Sequence, residues 1–201
     1  GAKDVAQRMA GNLQTLPLTD YPNRFLLRDL LERAIERTER RAGRLALLHI
    51  YLDGFRRGNE SFGHEAGDQL VQLMAQRLEP CVRKTDSVAR IGGDEFTVII
   101  PELRNRHDAT KLIDKFMECL REPFLLAGHE VRVSASIGVA VYPSDGTNMN
   151  DLLRHADIAM YQAKAAGRNT MRFFDPEMQA KVIARADLEQ EIRASLSQNH
   201  F

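Results

Sequence analysis

The run "RIGGDEFTVII", residues 90–100, sets two glycines and two adjacent carboxylates, Asp94 and Glu95, between apolar segments. Glycine lacks a Cβ, so a ligand can approach the main chain closely at Gly92 and Gly93. A carboxylate beside such a gap suits a hard cation such as Mg²⁺, which takes oxygen ligands and commonly accompanies nucleotide phosphates. Taken alone, these four residues are better explained as a tight turn with solvated charges.

Two further stretches carry chemistry. "NESFGHEAGD" (59–68) sets Asn59 and Asp68 around the start of a helix. An Asn amide offers a donor and an acceptor, and an Asp carboxylate accepts from a ring N–H and an exocyclic amine, the donor pair of guanine. As structure alone, Asp68 is a helix-start charge, Asn59 a turn residue and His64 a packed or capping histidine. "YQAKAAGRN" (161–169) sets Lys164 one turn before Arg168, near a helix end marked by Gly167. Two cations so spaced can clamp phosphate oxygens, or simply finish a solvated helix.

The elements that must position these groups follow from periodicity. Residues 4–16 read as a weak helix or linker, and "LTDYPNR" (18–24) as a turn broken by Pro22 and Asn23. Helical spacing marks 25–41, about 65–79, the stretch around Leu112–Leu120, and 151–165. The Glu/Arg run at 32–41 reads as a solvated helix face. "LALLHIYL" (45–52) is a buried strand, 87–100 a β-hairpin with the glycines at its tip, 131–141 a half-buried alternating strand, and 171–174 a last short strand. Leu188, Ile192 and Leu196 recur every four residues on a helix outside the main pattern. Helices packed on a largely antiparallel sheet make the fold class α+β.

The totals exclude several classes. The chain has 201 residues, 43% hydrophobic and 28% charged, as expected of a globular domain with its own core. Lys+Arg and Asp+Glu are 28 each, so net charge points to neither nucleic acid nor membrane. No apolar run can span a bilayer and no leader is recognisable. The two cysteines, Cys81 and Cys119, lack metal-site spacing and read as buried thiols of a reducing cytoplasm. The start at Gly1-Ala2 reads as a chain excised from a larger parent, whose membrane or sensor segment would then be missing.

Arg90–Phe96 resembles the signature of the GGDEF family, the diguanylate cyclases. The resemblance extends over most of 18–174 through "LTDYPNR", "LDGFRRGNESFGHEAGD", "RKTD", "RIGGDEF", "SIGVAVYPSDG", "ADIAMYQAKAAGRN" and "RFF". It implies a nucleotidyl-cyclase, palm-like sheet. It also implies condensation of two GTP into cyclic di-GMP across a homodimer, with Mg²⁺ or Mn²⁺ bridging the phosphates. By the same resemblance Asn59 and Asp68 contact guanine. Gly92 and Gly93 admit the triphosphate, and Arg56, Lys164 and Arg168 bind phosphates. Asp94 and Glu95 are the catalytic carboxylates; Asp94, the Leu52 carbonyl and Asp53 face the metal. Arg83 and Asp86 match the RxxD inhibitory site for the product, with Arg stacking on guanine and Asp accepting from it.

The sequence departs from the family on the first strand, where Asp-x-Asp-x-Phe-Lys becomes Tyr51-Leu52-Asp53-Gly54-Phe55-Arg56. A phenol, with a reference pKa of about 10, is a poor Mg²⁺ ligand. Asp53, two residues on and so on the same strand face, is the candidate substitute. Leu16 and Asp20 also depart from the entry motif. Weak turnover with GTP binding retained is therefore expected. Residues 175–201 resemble the joining helix that leads into an EAL phosphodiesterase domain. Three segments follow: 1–17 linker, 18–174 GGDEF domain, 175–201 joining helix. The alternative to an enzyme is a module that binds GTP or cyclic di-GMP and regulates an adjoining EAL domain.

Overall fold

Strand β1 (Leu45–Asp53) sends its alternate side chains into two layers. Ala46, Leu48, Ile50 and Leu52 enter one core, Leu45 and Leu47 the other. Past Leu47 that second face turns polar, with His49, Tyr51 and Asp53 in succession. One face of a single strand therefore changes from packing surface to working surface along its length. The computed structural model describes residues 20–55 and 63–198.

Four more strands complete the sheet: β2 (Ser87–Arg90), β3 (Glu95–Ile100), β6 (Ser134–Tyr142) and β7 (Thr170–Phe173), in the order β2-β3-β1-β6-β7. β1 lies antiparallel to β3 and β6, β2 antiparallel to β3, and β7 joins β6 in parallel. Helices α2 (His64–Leu78) and α3 (Arg106–Leu120) cover one face; α1 (Asp20–Arg40) and α4 (Met149–Ala165) cover the other. This is the expected α+β architecture. A separate ribbon, β4 (Phe124–Leu126) with β5 (His129–Val131), packs beside α2. Arg77 of α2 anchors it: the guanidinium lies 3.5 Å over the Phe124 ring and donates to the Cys119, Glu122 and Pro123 carbonyls.

Two sequence readings are corrected. Asp20–Arg24 belongs to α1, not to a turn, because a first helical turn has no intrahelical use for the N–H that Pro22 lacks. The 131–141 strand is not half-buried: β6 runs from Ser134 to Tyr142 and is covered on both sides. At Gly138 the strand is bare because α4 lies on it. A Cβ added to Gly138 would sit 2.1 Å from the Met160 nitrogen and 2.2 Å from the Ala156 carbonyl oxygen. Ala156, Ala159 and Ala163 complete this close approach of helix to sheet, and all three are buried. The Asn148 side chain starts α4 by accepting from the Asp151 N–H at 2.9 Å.

Cys81 and Cys119 are free thiols, their sulfurs 3.8 Å apart. Helix α5 (Pro176–Gln198) is exposed along most of its length, including Ile183, Leu188, Ile192 and Leu196. Among the described residues, no helix is long and apolar enough to cross a membrane.

Candidate functional site

The β2–β3 turn is held from inside. Arg90, almost fully buried, donates from Nε to the Gly92 carbonyl at 3.0 Å and from Nη2 to the Gly93 carbonyl at 2.9 Å. The Ile91 N–H donates to the Glu95 carbonyl at 2.9 Å, and the Leu52 N–H ties β1 to the Asp94 carbonyl at 2.8 Å. The Asp94 side chain is buried and Glu95 half-buried. Neither glycine adopts a positive φ. Among the described residues, a Cβ at Gly92 would meet nothing closer than 4.0 Å, and one at Gly93 nothing closer than Phe55 at 3.6 Å. Among those residues, the turn itself thus does not demand glycine.

Tyr51 stands in Cα register with Glu95 on β3 and with Ser136 on β6, so it lies directly beside the signature. Two cations from the end of α4 gather on it. The Lys164 Nζ is 3.5 Å from the Tyr51 ring centroid, and the Arg168 guanidinium carbon is 5.5 Å from it. Such contacts contribute about 0.5–2 kcal/mol each, depending on desolvation. Hydrogen bonding to the Tyr51 phenol, and then the nearby Asp53 charge, hold the Arg168 guanidinium above its ordinary pKa against the opposing effect of desolvation. Both cations also offset the negative end of the α4 dipole.

Asp53 is consumed by structure. Its Oδ2 accepts from Ser134 Oγ at 2.7 Å and the Asn169 N–H at 3.0 Å; its Oδ1 accepts from Ser136 Oγ at 2.8 Å and Arg168 Nη1 at 3.4 Å. Four donors fill the roughly four acceptor sites of a carboxylate. Those donors pin the corner after α4, where Gly167, Arg168 and Asn169 all have positive φ, 110°, 64° and 48°. Asp53 therefore fixes where Arg168 stands. It does not present a vacant ligand oxygen, contrary to the expectation that it substitutes for the missing carboxylate.

The donor set does not fit a protein-held cation pair. One position carries a phenol and Asp53 is saturated. Among the described residues, no group of three or more His, Cys, Asp and Glu side chains could hold a metal ion. Asp94 and the Leu52 carbonyl remain at the turn. Asp68 lies exposed in the second turn of α2. Asn59 and Arg56 lie outside the described residues.

A second locality surrounds Arg83 and Asp86. The Asp86 side chain is fully buried, accepting the Arg83 N–H at 2.7 Å and the Arg83 guanidinium at 3.2 Å. Burial raises the Asp86 pKa, and the bonds from Arg83 oppose that rise. Arg83 also donates to the Pro101 carbonyl at 2.7 Å and remains half-exposed. Beside this loop is a cavity of about 270 Å³, lined by Arg33, Arg37, Arg41, Arg44, Lys84 and Glu102 among others. Part of the charge run read as a solvated helix face thus lines a cavity. Only the helical period of 33, 37 and 41 hinted at that shared face.

The chain matches the family described as "Diguanylate cyclase, GGDEF domain" over residues 16–170. It is 43% identical, over 92% of its length and 27% of the relative's, to the bifunctional diguanylate cyclase/cyclic di-GMP phosphodiesterase MucR of Pseudomonas aeruginosa. It is 36% identical to the cyclic di-GMP phosphodiesterase NbdA of the same organism, over 89% of this chain and 23% of that protein. Among solved structures, the GGDEF domain of TpbB from Pseudomonas aeruginosa superposes with a TM-score of 0.76 at 33% identity, covering 85% of this chain and 96% of that one. This chain spans about a quarter of the length of the first two relatives. With its signature carried on a hairpin beside β1 and matched over most of its length, the chain belongs to the GGDEF domain family of diguanylate cyclases.

Proposed function

We propose that this GGDEF domain binds GTP and condenses it to cyclic di-GMP only weakly. The observation that carries this reading is the contact of Tyr51 with Lys164, at 3.5 Å, where the family pattern has a metal-binding carboxylate. Diguanylate cyclases of this kind use a divalent cation, Mg²⁺ or Mn²⁺, to stabilise charge developing on the phosphates. Here the carboxylates left at the turn are Asp94 and Glu95. Substrate binding relies on other groups: Asn59 and Asp68 for guanine, Gly92 and Gly93 for close approach, and Lys164, Arg168 and Arg56 for phosphates. Condensation would need two copies of the domain facing each other. Incubation with GTP and Mg²⁺ or Mn²⁺, with chromatographic detection of cyclic di-GMP, tests the reading. Brisk turnover by the unaltered domain overturns it.

The product fits the Arg83 locality. A cyclic dinucleotide carries two phosphates and two guanines, and the cavity beside Arg83 offers five cations on its lining. Engagement of guanine by Asp86 would require its release from Arg83.

A regulatory reading is favoured by the saturation of Asp53 and by the relatives. NbdA is named a phosphodiesterase although it contains a region 36% identical to this chain. In that reading the domain reports GTP or cyclic di-GMP to an EAL domain joined through α5, in a cytoplasmic setting where GTP and free thiols coexist. Phosphodiesterase activity of the longer protein that does not respond to GTP would remove it.

A further inference from the structure

We propose that this site takes guanosine triphosphate as the metal-free polyanion, with the Lys164 ammonium, seated on the Tyr51 ring, supplying the charge that a divalent cation would otherwise bring. The proposal rests on the GTP-binding reading above and specifies the ionic form that is bound.

Three observations carry it. First, the carboxylate that survives on β1 cannot serve a cation: Asp53 accepts from Ser134, Ser136, Arg168 and Asn169. Second, position 51 presents a ring to Lys164 at 3.5 Å. A π face attracts an ammonium without occupying its N–H donors in strong bonds, so they remain for phosphate oxygens. A carboxylate in the same place would take those donors or recruit a cation itself. Third, the seat is already positive. A divalent cation approaching position 51 meets Lys164 and the Arg168 guanidinium, 5.5 Å from the same ring, and like charges so close repel. Phosphate oxygens meet two fixed donors instead. Among the described residues, nothing would meet a Cβ on Gly92 closer than 4.0 Å.

Opposing charges are Asp53, ion-paired with Arg168 at 3.4 Å, Asp157, whose charge Lys164 favours, and, at the turn, Asp94 and Glu95. The pair at the turn supplies a discriminating sign. In a metal-dependent site Glu95 helps binding by attracting the cation. In a metal-free site it repels the triphosphate, so Glu95→Gln should tighten binding.

The test is calorimetric titration of the full chain with GTP, once with excess Mg²⁺ and once with a chelator. The two dissociation constants are expected within about threefold of each other. Tyr51→Phe keeps the ring under Lys164 but loses the phenol that Arg168 meets; whatever affinity it loses, its two dissociation constants should still agree within about threefold. Tyr51→Asp, checked for folding by circular dichroism, should become metal-dependent and bind roughly tenfold more weakly in chelator than in Mg²⁺. Glu95→Gln should bind more tightly than the parent in chelator. Binding by the parent only when Mg²⁺ is present overturns the proposal and leaves the GTP-binding reading standing. Binding in neither condition overturns both.

Discussion

Lys164 on α4 and Tyr51 on β1 meet face on, the ammonium nitrogen 3.5 Å from the ring centroid. That contact joins the element proposed to bind phosphates to the strand that, in the family pattern, supplies a metal ligand. Substituting Tyr51→Asp restores an oxygen ligand beside Asp94 without disturbing Asp53. Cyclase rate should rise by about tenfold or more, the scale of one recovered charge-stabilising contact, and most visibly at limiting Mg²⁺. Rates must be compared at matched protein concentration, because the proposed condensation would need two domains. An unaltered rate in Tyr51→Asp, with brisk turnover by the parent, would make Tyr51 a tolerated variation.

Nucleotide choice tests the proposed guanine contacts. Adenine has no ring N–H to offer Asp68, and its exocyclic amine is differently placed. A carboxylate that the bound base covers and leaves unsatisfied costs about 1–3 kcal/mol, so GTP should bind roughly tenfold or more tighter than ATP. Equal affinities in calorimetry would remove Asp68 and Asn59 from the guanine-reading role.

The α4 cations are positioned by Gly138. A side chain there would overlap the main chain of α4 at Met160 and Ala156, atoms that cannot rotate away. Gly138→Ala should therefore destabilise the fold by about 3 kcal/mol or more, at or beyond the usual upper range for overpacking. Urea unfolding measures this. A loss below about 1 kcal/mol would mean that α4 shifts freely, and that the Lys164–Tyr51 contact is not fixed by packing.

Which parts were legible in the sequence depends on how local their causes are. The hairpin at 87–100 was legible because two apolar runs flank a glycine pair, and β1 because of an unbroken apolar run. Ser134, Ser136, Gly138 and Ala140 misled, since small residues beneath a helix look the same as polar residues facing water. Pro22 misled because a residue that breaks a helix interior is harmless in a first turn. Asp53 could be placed on the same face as Tyr51 by counting. Its saturation could not, because Ser134, Ser136 and Asn169 lie more than eighty residues away. The β4–β5 ribbon gave too short a pattern to register, and Arg77, which anchors it, carried no signal of its own.

The Arg83–Asp86 pair yields a binding prediction. The Asp86 side chain is wholly buried, and Arg83 is its ion-pair partner in the loop. Arg83→Ala should weaken cyclic di-GMP binding by roughly tenfold or more, the scale of one charge-assisted contact. Arg83→Lys, keeping the charge without the planar fork, should recover only part of that. An Arg83→Ala protein that folds normally and binds the dinucleotide as tightly as the parent would exclude this locality as the product site.

Asp145 gives a stability prediction with a defined sign. The residue is 7% exposed, and its Oδ2 accepts the Val141 N–H at 2.8 Å. Burial pushes its carboxyl pKa upward; the Val141 bond and the charges of Arg106 and His155 oppose this, and Asp175 adds to it. Because the net direction is up, the folded chain holds this proton more tightly than the unfolded chain. The unfolded state then binds fewer protons, so the contribution of Asp145 to stability falls as pH rises through the folded pKa. The contribution is fully present only below the unfolded value of about 3.9. Asp145→Asn keeps an oxygen for the Val141 N–H and removes the buried charge. The variant should therefore unfold at a higher urea concentration than the parent at neutral pH, and the gap should close as the solution is acidified toward the ordinary carboxylate range. A variant less stable than the parent by the same amount at every pH would show that fit, not charge burial, governs this residue.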